Sequence, residues 1–397
     1  MHMSENIQEK LTVKQWLPLI GMSFAAFLFN TSEFMPVGLL STIAEDFAMT
    51  EAQIGRIVSI YAWMVMILSM PLMVMASRYS MRTLMLGTIG IFILSNSLAS
   101  LATDFWSLLG ARLVLTTAHA IYWSIATPAA VRLVAPRFKA VAMSMLVAGS
   151  SLATILGLPI GRVIGLQLGW RMSFFSMAAV AACIIVYMFF VFPKMEKTEP
   201  FSFKQLPELF KNKVLLGLYG ITILIPTAQY ASYSYIEPFM KYVVCMSANT
   251  VTMALVIIGC AGFVGSIMYT KLYDRYADYF LPVSLIGMTA VLFSLHLASC
   301  NEFLFLGVLI VWGIIMIFFG MSSQAVLLQV TTISTAPVAM SIYSGIFNFG
   351  IGSGTWVGGF ICDHIDIAYI GYGAGIFAVI GTLGSLLVLR ELKRSRY

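Results

Sequence analysis

Two carboxylates, Glu33 and Glu237, stand inside otherwise apolar runs, each close to a proline, Pro36 and Pro238. A charge surrounded by hydrocarbon is costly and is tolerated only in a cavity or beside a partner. A carboxylic acid held out of water can take up and release a proton near neutrality, which is the chemistry a proton-driven device requires. Of the two, Glu33 is the stronger candidate, because Glu237 could instead reach water at the nearer membrane face. A third run carries Arg112 and His119, seven residues apart, with Trp123 four further on. In a helix these three share one face. Arg112 suits pairing with a carboxylate or polarising a proton path, and equally suits bonding backbone carbonyls. His119, with an ordinary imidazole pKa near 6.5, can switch charge or serve as a neutral hydrogen-bonding group.

A second set of residues suits a polyhydroxylated ligand. Gln229, Tyr233 and Glu237 fall at i, i+4 and i+8 with Tyr230 beside them, and Asn30, Tyr61, Tyr122, Trp123 and Asn348 add amides, phenols and an indole. Sugars offer hydroxyl edges for hydrogen bonds and C–H faces for aromatic rings. The blander alternative is that tyrosine and tryptophan are common near membrane interfaces. The five cysteines are scattered with no C-x-x-C pair, so neither a metal site nor redox chemistry is expected.

The elements that must position these groups are membrane helices. Of 397 residues 60% are hydrophobic and 10% charged, against about a quarter charged in a soluble domain. The mean hydropathy is +0.91. Met1–His2–Met3 reads as a cloning remnant before a cytoplasmic tail, and residues 4–14 lack the apolar core of a cleavable signal, so the first apolar segment is expected to remain as a span. Runs long enough to cross a bilayer predict helices near 15–40, 53–76, 83–102, 105–130, 139–164, 171–193, 214–240, 248–270, 280–299, 303–330, 337–361 and 367–390. The charge-free run 303–362 would be about 90 Å long as one helix, so it must turn back, most naturally at 331–337.

Twelve spans put both termini on one side. Most of the 23 Lys and Arg fall on that side, among them Lys14, Arg78, Arg82, Arg137, Lys139, Lys271 and Arg275, while Glu45, Asp46, Glu51, Asp104, Glu302, Asp363 and Asp366 fall on the other. The basic side is expected to be cytoplasmic, in a bacterial inner membrane. The net charge of +6 thus reports orientation rather than nucleic-acid binding. The polar stretch 194–213 divides the chain into an N-terminal bundle, 1–193, and a C-terminal one, 214–397. An internal repeat agrees: AMSM at 142–145 returns as AMSI at 339–342, and the same 197-residue offset carries Gly157 to Gly354, Gly161 to Gly358 and Arg78 to Arg275. Gly157, Gly161 and Gly165, with Pro159 between, and Gly350, Gly354 and Gly358 form small-residue faces that permit close helix approach. Arg162 and Arg171 are expected at the outer helix ends, snorkelling or touching loops.

Several segments carry a resemblance: FNTSEFMPVGLL at 29–40, IYAW at 60–63, AHAIYWSI at 118–125, GLPIGR at 157–162, GWRM at 169–172, YSYIEPF at 233–239 and GIFN at 345–348. Together they resemble the drug/proton antiporter branch of the major facilitator superfamily, and within it the sugar efflux transporters of the SotB type. The resemblance implies an all-α membrane fold of twelve helices in two pseudo-symmetric six-helix bundles, with alternating access and proton-driven export of sugars such as arabinose or related galactosides. It also implies that the GLPIGR helix carries the antiporter motif, thought to seal or pivot the bundles, and that Arg112 is the family's arginine of an R-x-x-x-G pattern, here with Thr116 in the glycine position. One motif is incomplete. The loop resembling G-x-L-A-D-R-x-G-R-R keeps Arg78 and Arg82 but has Ser77 where the Asp belongs, while the second half keeps Asp274 and Arg275.

The expectation is therefore a secondary exporter rather than an enzyme. Glu33 is the main proton site, with Arg112, His119 and Glu237 assisting and the amides and aromatics binding substrate. Its partners are a small sugar, protons and the bilayer, with no nucleic acid, no cofactor and a monomeric state. The rivals are a multidrug/proton antiporter of the same fold and a non-transporting membrane sensor. No H-E-x-x-H, G-x-S-x-G or phosphate-binding glycine loop occurs, and 194–213 is too short for a nucleotide-binding domain.

Overall fold

The computed structural model describes residues 11–76, 78–195, 209–332 and 335–394. Among them every span expected from hydropathy is a helix: α1 (Val13–Gly38), α2 (Glu51–Ala76), α3 (Met81–Ser100), α4 (Phe105–Arg132), α5 (Lys139–Leu152 continued by Leu158–Leu168) and α6 (Trp170–Val191). The second half contains α7 (Lys213–Tyr233 continued by Ile236–Tyr242), α8 (Ala248–Tyr273), α9 (Arg275–Ala298), α10 (Glu302–Gln329), α11 (Ala336–His364) and α12 (Ile370–Arg394). Nine of these are by themselves long and apolar enough to cross a membrane. The other three, α1, α4 and α11, carry Glu33, Arg112, His119 and Asn348 among small residues, so they trade hydropathy for an interior polar face.

Helix starts are set by polar caps that satisfy the free amides of the first turn. Ser80 accepts from Thr83 N, Asn212 from Leu215 N, Ser247 from Thr250 N, and Asn301 from Phe303 N and Leu304 N. Asp104 caps α4 by accepting from Trp106 N and Ser107 N. Those bonds, Ser107 first, hold its carboxyl below the ordinary aspartate range.

Two departures from the sequence expectation have local causes. Where a loop is expected over 271–279, the helix runs on from α8 into α9 with one non-helical residue, Tyr276 (φ −130°, ψ 22°), in the first turn of α9, because 271–279 contains neither glycine nor proline to end it. Helix α5 contains a π turn at Ala153–Gly157. Pro159 lacks an amide hydrogen and its ring crowds the carbonyl four residues back, and the wider turn absorbs both. Residues 196–208 of the linker, Ser77, and the Asp274 side chain lie outside the described residues.

Within the first half α1 packs on α5 and α6, α3 on α4 and α6, and α2 on α4. Within the second, α7 packs on α11 and α12, and α8 with α9 on α10. Across the halves, α2 lies along α11 and α5 along α8, two contacts related by a shift of six helices. The glycine faces make the symmetry concrete. A Cβ on Gly157 would fall 2.0 Å from Thr31 Oγ1 of α1, and one on Gly354 would fall 2.4 Å from the Thr227 carbonyl of α7. Gly161 similarly packs on Met35, and Gly358 on the Ala231 carbonyl.

Replacing Gly358 by Ala should therefore force α11 off α7, costing about 1–3 kcal/mol and lowering the thermal unfolding midpoint in detergent. Gly110→Ala, where nothing lies within 4 Å of the new methyl group, should leave it unchanged or slightly raised.

Candidate functional site

The first-half cluster begins with Pro36. A proline inside a helix removes an amide donor and loosens the preceding turn. In that turn the Glu33 carbonyl accepts from Arg112 Nη2 at 3.2 Å. Arg112 Nη1 donates to Ser32 Oγ at 3.2 Å, and the guanidinium carbon lies 4.6 Å from the centre of the Tyr61 ring. Ser32 Oγ in turn donates to Asn96 Oδ1 at 3.0 Å, and the Asn96 amide donates to the Phe92 carbonyl. Four helices, α1 to α4, thus converge on one buried cation that is 2% exposed.

The Glu33 carboxylate is 8% exposed and is not bonded by that cation, although it lies within its electrostatic reach. Its Oε2 is 3.8 Å from His119 Nε2, just beyond hydrogen-bond distance. Arg112 Nε, His119 Nδ1 and the Tyr61 hydroxyl are buried without a protein partner. A buried carboxylate, an imidazole and a fixed arginine with bonding capacity to spare are the parts of a proton-transfer or ligand-binding site.

Around it stand the aromatic residues. Trp123 is half-buried, 6.3 Å from the His119 ring. Tyr230 of α7 stacks on Phe34 of α1 at 6.1 Å and meets Tyr233 and Phe347 edge-on, so the wall is built from both halves. Tyr233 also packs on Trp312. Gln229 is buried, and Asn30 is half-buried on α1. Asn348 donates to the Ser344 carbonyl and leaves a buried Oδ1 without a partner. Tyr122 is directed elsewhere. Its hydroxyl donates to the Met22 carbonyl at 2.7 Å and its ring stacks on Phe29 at 4.4 Å, inside the first half.

Glu237 does not join the Glu33 cluster. It is 1% exposed and bonded to Arg162 and Ser41 at the end of the molecule that carries Glu45. Arg162, expected to snorkel at a helix end, is 2% exposed and forms a buried ion pair instead. The missed partnership had a signal in the sequence: an arginine and a glutamate, one per half, each in an apolar run. Arg171 does touch a loop, donating to the Ala102 carbonyl, and it also bonds Asp46 of the short helix Leu40–Phe47. At the opposite end Arg78 is exposed, and Arg275 lies over the Tyr276 ring at 5.3 Å.

Twelve helices in repeat-related halves, with buried polar groups between them, are matched by what the chain is similar to. The sequence profile described as the Major Facilitator Superfamily matches residues 22–336. The chain belongs to the major facilitator superfamily. Among solved members of similar shape is a bacterial homolog of the human lysosomal transporter Spinster in an inward-facing, unoccupied conformation, with a TM-score of 0.79 and 14% identity over 98% of this chain and 99% of that one. A D-xylose–proton symporter gives 0.77 and 12%, over 93% and 96% of the two chains. The nucleoside transporter NupG gives 0.75 and 15%, over 94% and 99%. As a major facilitator protein the chain is a multi-pass membrane transporter of small molecules, not an enzyme.

Arg112→Lys would keep the charge, but one ammonium cannot span Ser32 Oγ, the Glu33 carbonyl and the Tyr61 face together. It is expected to lower stability by about 2 kcal/mol, and Ser32→Ala by about 1 kcal/mol, both read as shifts of the thermal unfolding midpoint in detergent.

Proposed function

We propose that this transporter is a proton-driven exporter of small sugars, of the arabinose or thiogalactoside kind, as its resemblance to SotB-type sugar efflux proteins implies. The observation that carries the reading is the Glu33 carboxylate, buried 3.8 Å from His119 and next to the aromatic contact where Phe34 of one half meets Tyr230 of the other. A carboxylate there can lose its proton when one end is open and regain it when the other is, while Arg112 and His119 set its field. Glu237 is the second acid of the cycle. Asn30, Tyr61, Trp123, Gln229, Tyr230, Tyr233 and Asn348 offer hydrogen bonds and ring faces suited to a sugar. Tyr122 contributes by holding Phe29 in place.

The moving bodies are residues 1–193 and 214–397, joined by 194–213, rocking about a substrate site where the two halves meet. Gly157, Pro159 and Gly161 let α1 and α5 move as one unit, and Arg78 with the Asp274–Arg275 pair would bear on the opposite gate. The basic end faces the cytoplasm of a bacterial inner membrane, following the distribution of Lys and Arg. The proton gradient is the energy source, no cofactor is required, and one chain suffices.

Proteoliposomes reporting internal pH, with arabinose or a thiogalactoside added, test the proposal. Proton flux opposite to sugar flux, abolished by Glu33→Gln, is the expected outcome. Unchanged coupling in that variant would move the proton site to Glu237 or His119. A response to cationic drugs and to no sugar would replace sugar export by drug export, and no flux with any substrate would favour a sensor.

A further inference from the structure

Glu237 of the second half is held entirely by groups of the first. Its Oε1 accepts from Arg162 Nη1 at 2.9 Å, and its Oε2 accepts from the Ser41 hydroxyl at 2.8 Å and from the Ser41 backbone N–H at 3.2 Å. Arg162 also donates to the Gly38 carbonyl, and its Nε has no protein acceptor. The two side chains are 3% and 2% exposed. Local structure explains how they meet. Helix α7 is interrupted after Tyr233, so Glu237 lies in the first turn of its outer segment, where Pro238 costs no helical hydrogen bond. Gly38 and Ser41 flank the break between α1 and the short helix Leu40–Phe47.

At the same end a rim of contacts also crosses the halves. Lys241 pairs with Glu45 at 2.5 Å, Arg56 stands 4.0 Å from Asp363, and the Thr50 hydroxyl donates to Asp363 at 3.1 Å. Lys241, Glu45 and Arg56 are one-third or more exposed, and such pairs are weak and screened by salt. The Arg162–Glu237 pair is different in kind. Its two charges are already out of water, so removing one partner strands the other in a dry interface. Parting the halves at this end readmits water and relieves a stranded charge.

We propose that the Arg162–Glu237 pair is the charge latch that holds the two halves together at the Glu45 end, which makes Arg162 a gate residue of the transport cycle. This deepens the role given to Glu237 above and rests on the transporter reading, but the latch is read without substrate or proton flux, so its failure and the failure of sugar export are told apart. The latch predicts an unusual ordering. Neutralising either partner alone favours the open arrangement, whereas neutralising both leaves no stranded charge and restores closure.

The experiment is a distance measurement between spin labels on Leu101→Cys and Ile365→Cys, exposed positions of opposite halves at that end, in the full chain with its five native cysteines replaced by Ser. The parent is expected to give one short-distance population. Glu237→Gln and Arg162→Met should each shift most molecules to a longer distance, and the double variant should return most of them to the short one. Single variants that keep the parent distribution would overturn the proposal, as would a double variant more open than either single. Should Arg162→Met fail to fold, the nearly isosteric Glu237→Gln decides alone, by opening or by staying closed.

Discussion

The structure is organised by the cost of placing a charge where water is absent. In hydrocarbon every backbone polar group must be bonded internally, which leaves helices as the workable element here, and every charged side chain needs a partner or a cavity. The chain keeps few charges inside, and each has a distinct solution. Arg112 is spread over a serine, a carbonyl and a ring face. Arg162 and Glu237 neutralise one another across the two halves. Glu33 has neither solution in full: it lies within the field of Arg112 and close to His119 but is bonded to neither. An incompletely satisfied acid is poor structural material and good material for a group that must change its proton during a cycle.

Repetition explains how so polar an interior is assembled from so apolar a chain. The glycine faces of α5 and α11 occupy equivalent places in the two halves and bring each helix against α1 or α7, the helices that carry the two acids. That close approach sets the acids in different surroundings. Pro36 loosens α1 near Glu33, whereas α7 is interrupted before Glu237 and projects it onto Arg162 of the other half. A duplicated frame therefore holds two acids in unlike surroundings: Glu33 lies beside His119 within the first half, and Glu237 is bonded across the halves to Arg162.

How far the fold was legible in the sequence varies with the length scale of the cause. Helices appear where hydropathy predicts them because bilayer thickness dictates their length. The loop expected near Tyr276 shrank to one residue, because hydropathy marks where a chain leaves the membrane and not whether it stays helical there. The π turn before Pro159 was written in the proline but needed the geometry of α5 to be seen. Among the site residues, Glu33, Arg112 and His119 converge, since helical spacing already put two of them on one face. Tyr122 could not be sorted from Tyr61 by residue type, because what separates them is the carbonyl of Met22, a hundred residues away.

By itself the sequence determined the number and length of the spans, the six-plus-six repeat and the presence of Glu33, Arg112 and Glu237 within spans. Each follows from composition, periodicity or the price of desolvation, all of which act along the chain. Only the tertiary structure decided which charge meets which. It paired Arg162 with Glu237, left Glu33 beside His119 and turned Tyr122 inward, because these outcomes depend on the register of helices from distant segments, and a shift of one turn, about 5.4 Å, would exchange every partner.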